Sequence, residues 1–266
     1  MSSSSDTNVP HIWWCPTGPL AFLPIHAAGL YLQPDGLKLS DYAISSYTPS
    51  LTALLDKPYL KPQSNPTLLT VALPTESHLQ GTEKEVVCIA NHAAKTMQVK
   101  KLYEKEATAQ NVAKALQEAN WVHFACHGVQ HPSEPTKSCL CLSGHTELKL
   151  SEVIGLQLKD AQLAYLSACQ TATGDEKLED EAVHLAAGML QAGFRAVIAT
   201  MWTIDDEFSV EVADETYCLL CGEYGNDSTR AAEALSFAIT KVVENRKAEG
   251  RKVSFFDWVP FIHIGL

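Results

Sequence analysis

Two short stretches place a reactive side chain at the end of an apolar run. VHFACHG at 122–128 delivers His127 and follows it with Gly128, and YLSACQTATG at 165–174 delivers Cys169 ahead of a small, polar, glycine-terminated loop. Both runs have strand length, and in a parallel sheet the strand ends are where side chains leave the core and meet substrate. A histidine and a cysteine on two such ends can form the nucleophile and base of a thiol hydrolase. The two residues are distant in the chain, so only tertiary folding can join them.

That chemistry needs a thiolate, a proton donor for the leaving amine and hydrogen-bond donors for the oxyanion. A free cysteine ionises at about pH 8.5, so proximity to His127 must raise the reactivity of Cys169. His127 can later protonate the leaving group. Gly128 lacks a Cβ, which lets its backbone N–H approach a scissile carbonyl closely. The N–H groups of Gly128 and Cys169 are therefore the oxyanion-hole candidates. Cys126 beside His127, and Cys141 near His145, raise a zinc alternative. Structural zinc normally takes two tight ligand pairs, and CLC at 139–141 with a stray histidine matches that poorly. No metal or other cofactor is expected.

Positioning such a pair requires a sheet, and the chain alternates strand and helix signals. Short apolar runs at 68–73, 121–126, 163–168 and 196–201 read as strands buried on both faces, with a strand-like segment at 98–102 and a last strand at 259–264. Helical periodicity covers 81–94, with Thr82, Glu83 and Glu85 at its start, then 109–119 capped by Thr108, and 180–191 closed by Gly193. Two further helices are expected near 206–221 and 228–248. Residues 139–150 alternate around Ser143 and Gly144 and read as a hairpin outside the strand–helix rhythm. Upstream, 11–15 and 20–26 look like two strands around a Pro/Gly turn, and 49–55 like one short helix opened by Ser50 or Thr52. The fold class is α/β: a mostly parallel sheet flanked by helices, with a β-rich N-terminal appendage. Residues 1–10 read as a disordered leader, 11–66 as the N-terminal part of the same domain, and 67–266 as the α/β core.

Composition narrows the function classes. The 266 residues are 46% hydrophobic and 19% charged, ordinary for a globular domain with a sizeable core. A net charge of −11 without a basic stretch disfavours nucleic acid and anionic lipid as partners. No apolar run reaches the roughly 18–20 residues of a membrane span, and the N-terminus lacks a signal-peptide pattern. Eight cysteines without a secretory signal point to free thiols in a reducing compartment, so a cytoplasmic location is expected. The one C-x-x-C, Cys218 to Cys221, falls near the end of a predicted helix, whereas redox chemistry of that motif wants a helix N-terminus.

At the reactive residues the chain resembles a known family. HFACHG at 123–128, SACQTATG at 167–174, DEAVHLAAGMLQAG at 180–193 and VIATMWTIDD at 197–206 look like the successive blocks of the CHAT domain. That domain belongs with caspases, separases and clostripain among caspase-like cysteine peptidases. The resemblance continues in WCPTGPLAFLPIHAAG at 14–29, SYTPSLTALL at 46–55 and DWVPFIHIG at 257–265, and so covers about 11–266. It implies a caspase-like sheet, a His127–Cys169 dyad and a protein or peptide substrate. It also implies control by a sensor, either a repeat-protein partner or an upstream domain, and in some relatives service in programmed cell death or defence. The competing class is a catalytically silent interaction or scaffold module on the same fold.

Specificity is open at this stage. Metacaspases and legumain resemble this arrangement but carry an acidic residue two positions before the cysteine, where Ser167 stands here. Asp175, Glu176 and Asp180 in the acidic loop after Cys169 can select a basic substrate residue, or can simply be solvated and cap the following helix. Trp202, just past a strand end, can wall the cleft or cover the sheet edge. Asp205 and Asp206 read as the start of a helix.

Overall fold

The apolar runs become the centre of a sheet. A computed structural model describes residues 9–33, 36–55, 65–73, 81–129, 131, 134–167 and 181–266. In chain order the strands are β1 (His11–Trp14), β2 (Ile44–Tyr47), β3 (Thr67–Ala72), β4 (Gln98–Tyr103), β5 (Trp121–Ala125), β6 (His127–Val129), β7 (Cys139–Leu142), β8 (Thr146–Lys149), β9 (Leu163–Leu166), β10 (Ala196–Thr200) and β11 (Phe261–Gly265). The helices are α1 (Leu51–Leu55), α2 (Gly81–Ala93), α3 (Ala109–Leu116), α4 (Leu150–Gly155), α5 (Glu181–Ala192), α6 (Asp206–Cys221), α7 (Ala231–Ala248) and α8 (Phe255–Trp258). Among the described residues, eight strands form one sheet in the order β1-β2-β11-β10-β9-β5-β3-β4, and β6-β7-β8 form a small antiparallel sheet beside it.

Both faces of the large sheet are covered, which is why its central strands are apolar at successive positions. Leu69, Val71, Val122, Phe124, Ala164, Leu166 and Val197 pack against α3, α4 and α5 through Val112, Leu116, Leu150, Met189 and Leu190. Their sequence neighbours Leu68, Trp121, Leu163, Tyr165 and Ile198 point the other way, onto Ile89 of α2, Phe208, Val212 and Tyr217 of α6, and Leu235 of α7. The period of two along each strand feeds two separate hydrophobic layers.

Local signals set the element ends. Thr108 accepts a hydrogen bond from the Asn111 N–H and caps α3. Gly193 closes α5 with a positive φ of 127°. Its N–H reaches the Leu190 carbonyl and that of Phe194 reaches Met189, the paired bonds of a Schellman motif. A Cβ on Gly193 would lie 2.0 Å from the Leu158 carbonyl oxygen, so the loop into β9 approaches this point only because glycine occupies it. Gly193→Ala is expected to destabilise the protein by about 3 kcal/mol or more, from backbone strain plus displacement of that loop. Urea unfolding checks it: a change under about 1 kcal/mol would mean the loop gives way freely.

Two parts of the topology differ from expectation. Residues 20–26 form no strand. Single 3-10 turns run over Gly18–Phe22 and Ile25–Ala27, because Pro16, Pro19 and Pro24 remove the donors a ladder needs. β1 pairs instead with β2, in parallel and continuous with the main sheet. The last strand, β11, runs antiparallel to β10. Two long helices, α6 and α7, separate these strands, and an even number of traversals returns the chain in the opposite direction.

The N-terminal residues are tied into the sheet by side-chain bonds. Trp13 Nε1 donates to the Gly265 carbonyl at 2.9 Å. His26 bridges the Tyr47 hydroxyl at 2.7 Å and the Val259 carbonyl at 2.8 Å. Ser46 Oγ links His11 Nε2 and His263 Nδ1, both at 2.7 Å.

Candidate active site at the sheet edge

β5 and β9 are parallel neighbours, and their last registered pair is Phe124 with Leu166. His127 and Cys169 each follow their own member of that pair by three positions. After Ala125 the chain bends at Cys126 and enters β6, which carries a half-buried His127 and a buried Gly128. β6 leaves the large sheet and pairs with β7, so this small sheet fixes the backbone on either side of His127. Cys169, Asp175, Glu176 and Asp180 lie outside the described residues.

Ser167, two positions before Cys169, is buried and its hydroxyl is already engaged. It donates to Glu85 Oε2 at 3.0 Å and lies 3.1 Å from Ser209 Oγ. Glu85, which the sequence places at the start of a helix, comes from α2 and is only 3% exposed. Its other oxygen lies 3.2 Å from Nε2 of the fully buried His123. The pair is within ionic reach but off the line that a hydrogen bond requires. Tyr165 stacks 4.8 Å from the His123 ring, and burial holds its phenol well above the usual range and therefore neutral. A buried polar cluster thus sits under the strand end that leads to Cys169. Sequence reasoning missed Glu85 and His123; the only signal was a histidine and a carboxylate breaking otherwise apolar helix and strand faces.

Asp205 caps α6 by accepting from the Phe208 N–H at 3.0 Å, and Asp206 opens the helix with an exposed side chain. The starts of α2 and α6 meet here: a Cβ on Gly81 would lie 3.2 Å from Asp206 Cβ. Burial, then the charges of Asp205 and Glu85, push the Asp206 carboxyl up, while His127 pulls it down. Asp206 is therefore within electrostatic reach of both Glu85 and His127. Trp202 is half-buried at the end of β10, donates to the Phe256 carbonyl at 3.3 Å and meets the Phe256 ring edge-on.

The remaining thiols separate by environment. Burial pushes Cys126 far up, out of use as a nucleophile at neutral pH. Cys221 is pushed up to about 12 by burial, and the C-x-x-C lies at the C-terminal end of α6. Among the described residues no three His, Cys, Asp or Glu side chains converge as metal ligands.

The family model of the CHAT domain matches residues 2–266. No match is found among the curated proteins. The fold is similar to that of Porphyromonas gingivalis RgpB, in a complex of its pro- and mature domains, at 15% identity and a TM-score of 0.54, covering 84% of this chain and 55% of that one. It is similar also to Saccharomyces cerevisiae separase in its complex with securin, at 15% identity and a TM-score of 0.56, covering 86% of this chain and 14% of that one. The chain thus spans about half of the first relative and a small part of the second. The mostly parallel sheet with helices on both faces is a caspase-like fold. With a family model spanning nearly the whole sequence and that fold beneath it, the chain belongs to the CHAT domain family.

Proposed function

We propose that this CHAT domain is a cysteine endopeptidase in which Cys169 is the nucleophile and His127 the acid and base. The observation that carries the reading is the β5–β9 register, which leaves His127 and Cys169 the same three residues past one cross-strand pair. The Cys169 thiolate attacks the scissile carbonyl carbon, and the oxyanion is met by the N–H groups of Gly128 and Cys169. The tetrahedral adduct collapses with cleavage of the C–N bond as His127 gives its proton to the departing amine. Water then attacks the thioester, His127 takes its proton, and the acid leaves as the C–S bond breaks, restoring the Cys169 thiolate beside protonated His127.

The substrate is a protein or peptide with a basic residue just before the scissile bond. To Asp175, Glu176 and Asp180 the site adds Asp206, whose carboxyl lies within reach of the charge on His127. Asp206→Asn is expected to lower kcat/KM for Arg and Lys substrates about two- to fivefold, the range of an exposed ion pair, and to leave substrates with neutral residues nearly unchanged. An equal loss on both would assign Asp206 to folding rather than to selectivity. By family analogy the domain answers to a sensor, a repeat-protein partner or an upstream domain, and acts in the cytoplasm in programmed cell death or defence.

The deciding experiment is a peptide-library digest with the wild type and Cys169→Ala. Cleavage by the wild type alone supports the dyad. Equal cleavage by both would remove Cys169 as nucleophile, and a folded wild type that cuts nothing would support the scaffold class.

A further inference from the structure

Besides the strand end, the described residues hold one other concentration of reactive groups, on the small β6-β7-β8 sheet. Its register pairs His127 with Cys141 and Cys141 in turn with Glu147, and pairs Val129 with Cys139 and Cys139 with Lys149. Residues directly opposite in an antiparallel ladder share a face, as do residues two apart on one strand. His127, Cys139, Cys141 and Glu147 therefore project from the same face. Cys139 is 3% exposed, whereas Cys141, two residues further along the same face of β7, is half-buried and open to a small reagent. Nothing in the peptidase mechanism uses either thiol.

We propose that Cys141 is a redox-modification site, taking one half of a small disulfide such as glutathione disulfide and thereby closing the peptidase site beside it. The proposal rests on the dyad reading above for its regulatory half; the modification itself does not depend on it. The exchange balances without another reagent. The Cys141 thiolate attacks one sulfur of the disulfide, the S–S bond breaks, a Cys141–glutathione bond forms and one glutathione thiolate leaves. A reducing thiol reverses it.

Two features, the neighbouring Cys139 and the cross-strand His127, favour Cys141 over the exposed Cys15 and Cys218. Exchange rates rise with the fraction of thiolate. The neighbouring Cys139 pushes the Cys141 thiol down; burial opposes it, and His127, across the ladder, adds a smaller push in the same downward direction against Glu147. Cys139 moves the other way, pushed up chiefly by its neighbour Cys141 and by burial. Cys15 and Cys218 are exposed, with Cys221 and Lys241 near Cys218, but neither stands opposite a histidine in a strand ladder. Cys139 is a poor resolving thiol: two positions along an extended strand is about 6.8 Å between Cα atoms, the outer limit for a disulfide. The reaction therefore stops at a mixed disulfide. Its glutathionyl group stands across the ladder from His127, where the substrate chain must pass.

The test has two arms. In Cys169→Ala protein, stripped of the proposed nucleophile, glutathione disulfide is added and adducts are mapped by peptide mass. Cys141 is expected to be modified at least about tenfold faster than Cys15 or Cys218, and His127→Ala in that background is expected to slow Cys141 alone. Modification of Cys15 or Cys218 as fast as Cys141, or an internal Cys139–Cys141 disulfide instead of an adduct, would overturn the site. In protein with Cys169 intact, Cys141→Ser is expected to need at least about tenfold more disulfide for half-inhibition of cleavage. Equal sensitivity would overturn the regulatory half. If no cleavage is seen in reduced protein at all, the peptidase reading fails while the adduct at Cys141 is judged separately.

Discussion

His127→Ala is expected to lower kcat for peptide cleavage by about three to four orders of magnitude, with KM changed little. The split follows from what the imidazole does. It raises the thiolate population of Cys169 and protonates the leaving amine in the transition state, and neither interaction holds the ground-state substrate. β6 keeps its ladder with β7 through backbone bonds, so loss of the side chain leaves the local fold in place. A second signature separates catalysis from structure. Without His127 the Cys169 thiol must ionise unaided, so the residual rate should climb through about pH 8.5 rather than near neutrality. A variant with the wild-type unfolding midpoint and kcat within tenfold of the wild type would show that His127 is not the proton carrier.

Acidification from pH 7 to pH 5 is expected to remove about 4 kcal/mol of folding stability, a large share of the 5–15 kcal/mol that holds a typical domain together. The cause is a pair of imidazoles, the fully buried His263 and the partly buried His26. Burial pushes His26 down to about 4 despite its bond to the Val259 carbonyl, and burial together with the charge of His11 pushes His263 down to about 3. In the unfolded chain both take up protons at about pH 6.5. Above that pH neither state is protonated there and the two sites contribute nothing. As the pH falls below it the unfolded chain binds two protons that the fold refuses, so stability drops by about 1.4 kcal/mol per pH unit for each histidine. The drop continues until each folded-state value is reached, near pH 4 for His26 and near pH 3 for His263. Urea midpoints at pH 7, 6 and 5 measure it before most carboxylates titrate. His263→Asn, which can still meet Ser46, should halve the slope. A midpoint flat across that range would mean that the N-terminal segment opens to admit protons without unfolding. Because His26 ties the N-terminal residues to Val259 just before β11 and His263 ties them to β11 itself, acid should loosen that seam first.

What sequence alone determined was local or carried by ordered motifs. The apolar runs at β3, β5, β9 and β10 are strands because their length and continuous apolarity suit a position buried on both faces. Thr108 and Gly193 mark helix ends through their own backbone and side-chain bonds, and Gly144, with φ at 68°, turns the β7–β8 hairpin. The ordered blocks around His127 and Cys169 were enough to identify the family, and the fold class with it. Only the tertiary structure decided which strands are neighbours. Composition cannot show that β1 joins β2 rather than a strand at 20–26, nor that β11 runs antiparallel, since both depend on where distant segments return. The same holds for chemistry. Glu85 is one more polar residue at a helix start until α6 and the end of β9 close over it, and Cys141 is a poor zinc candidate near His145 until β7 sets it opposite His127. Periodicity reports which face a residue occupies along its own element; what stands across from that face is set by pairings between residues far apart in the chain.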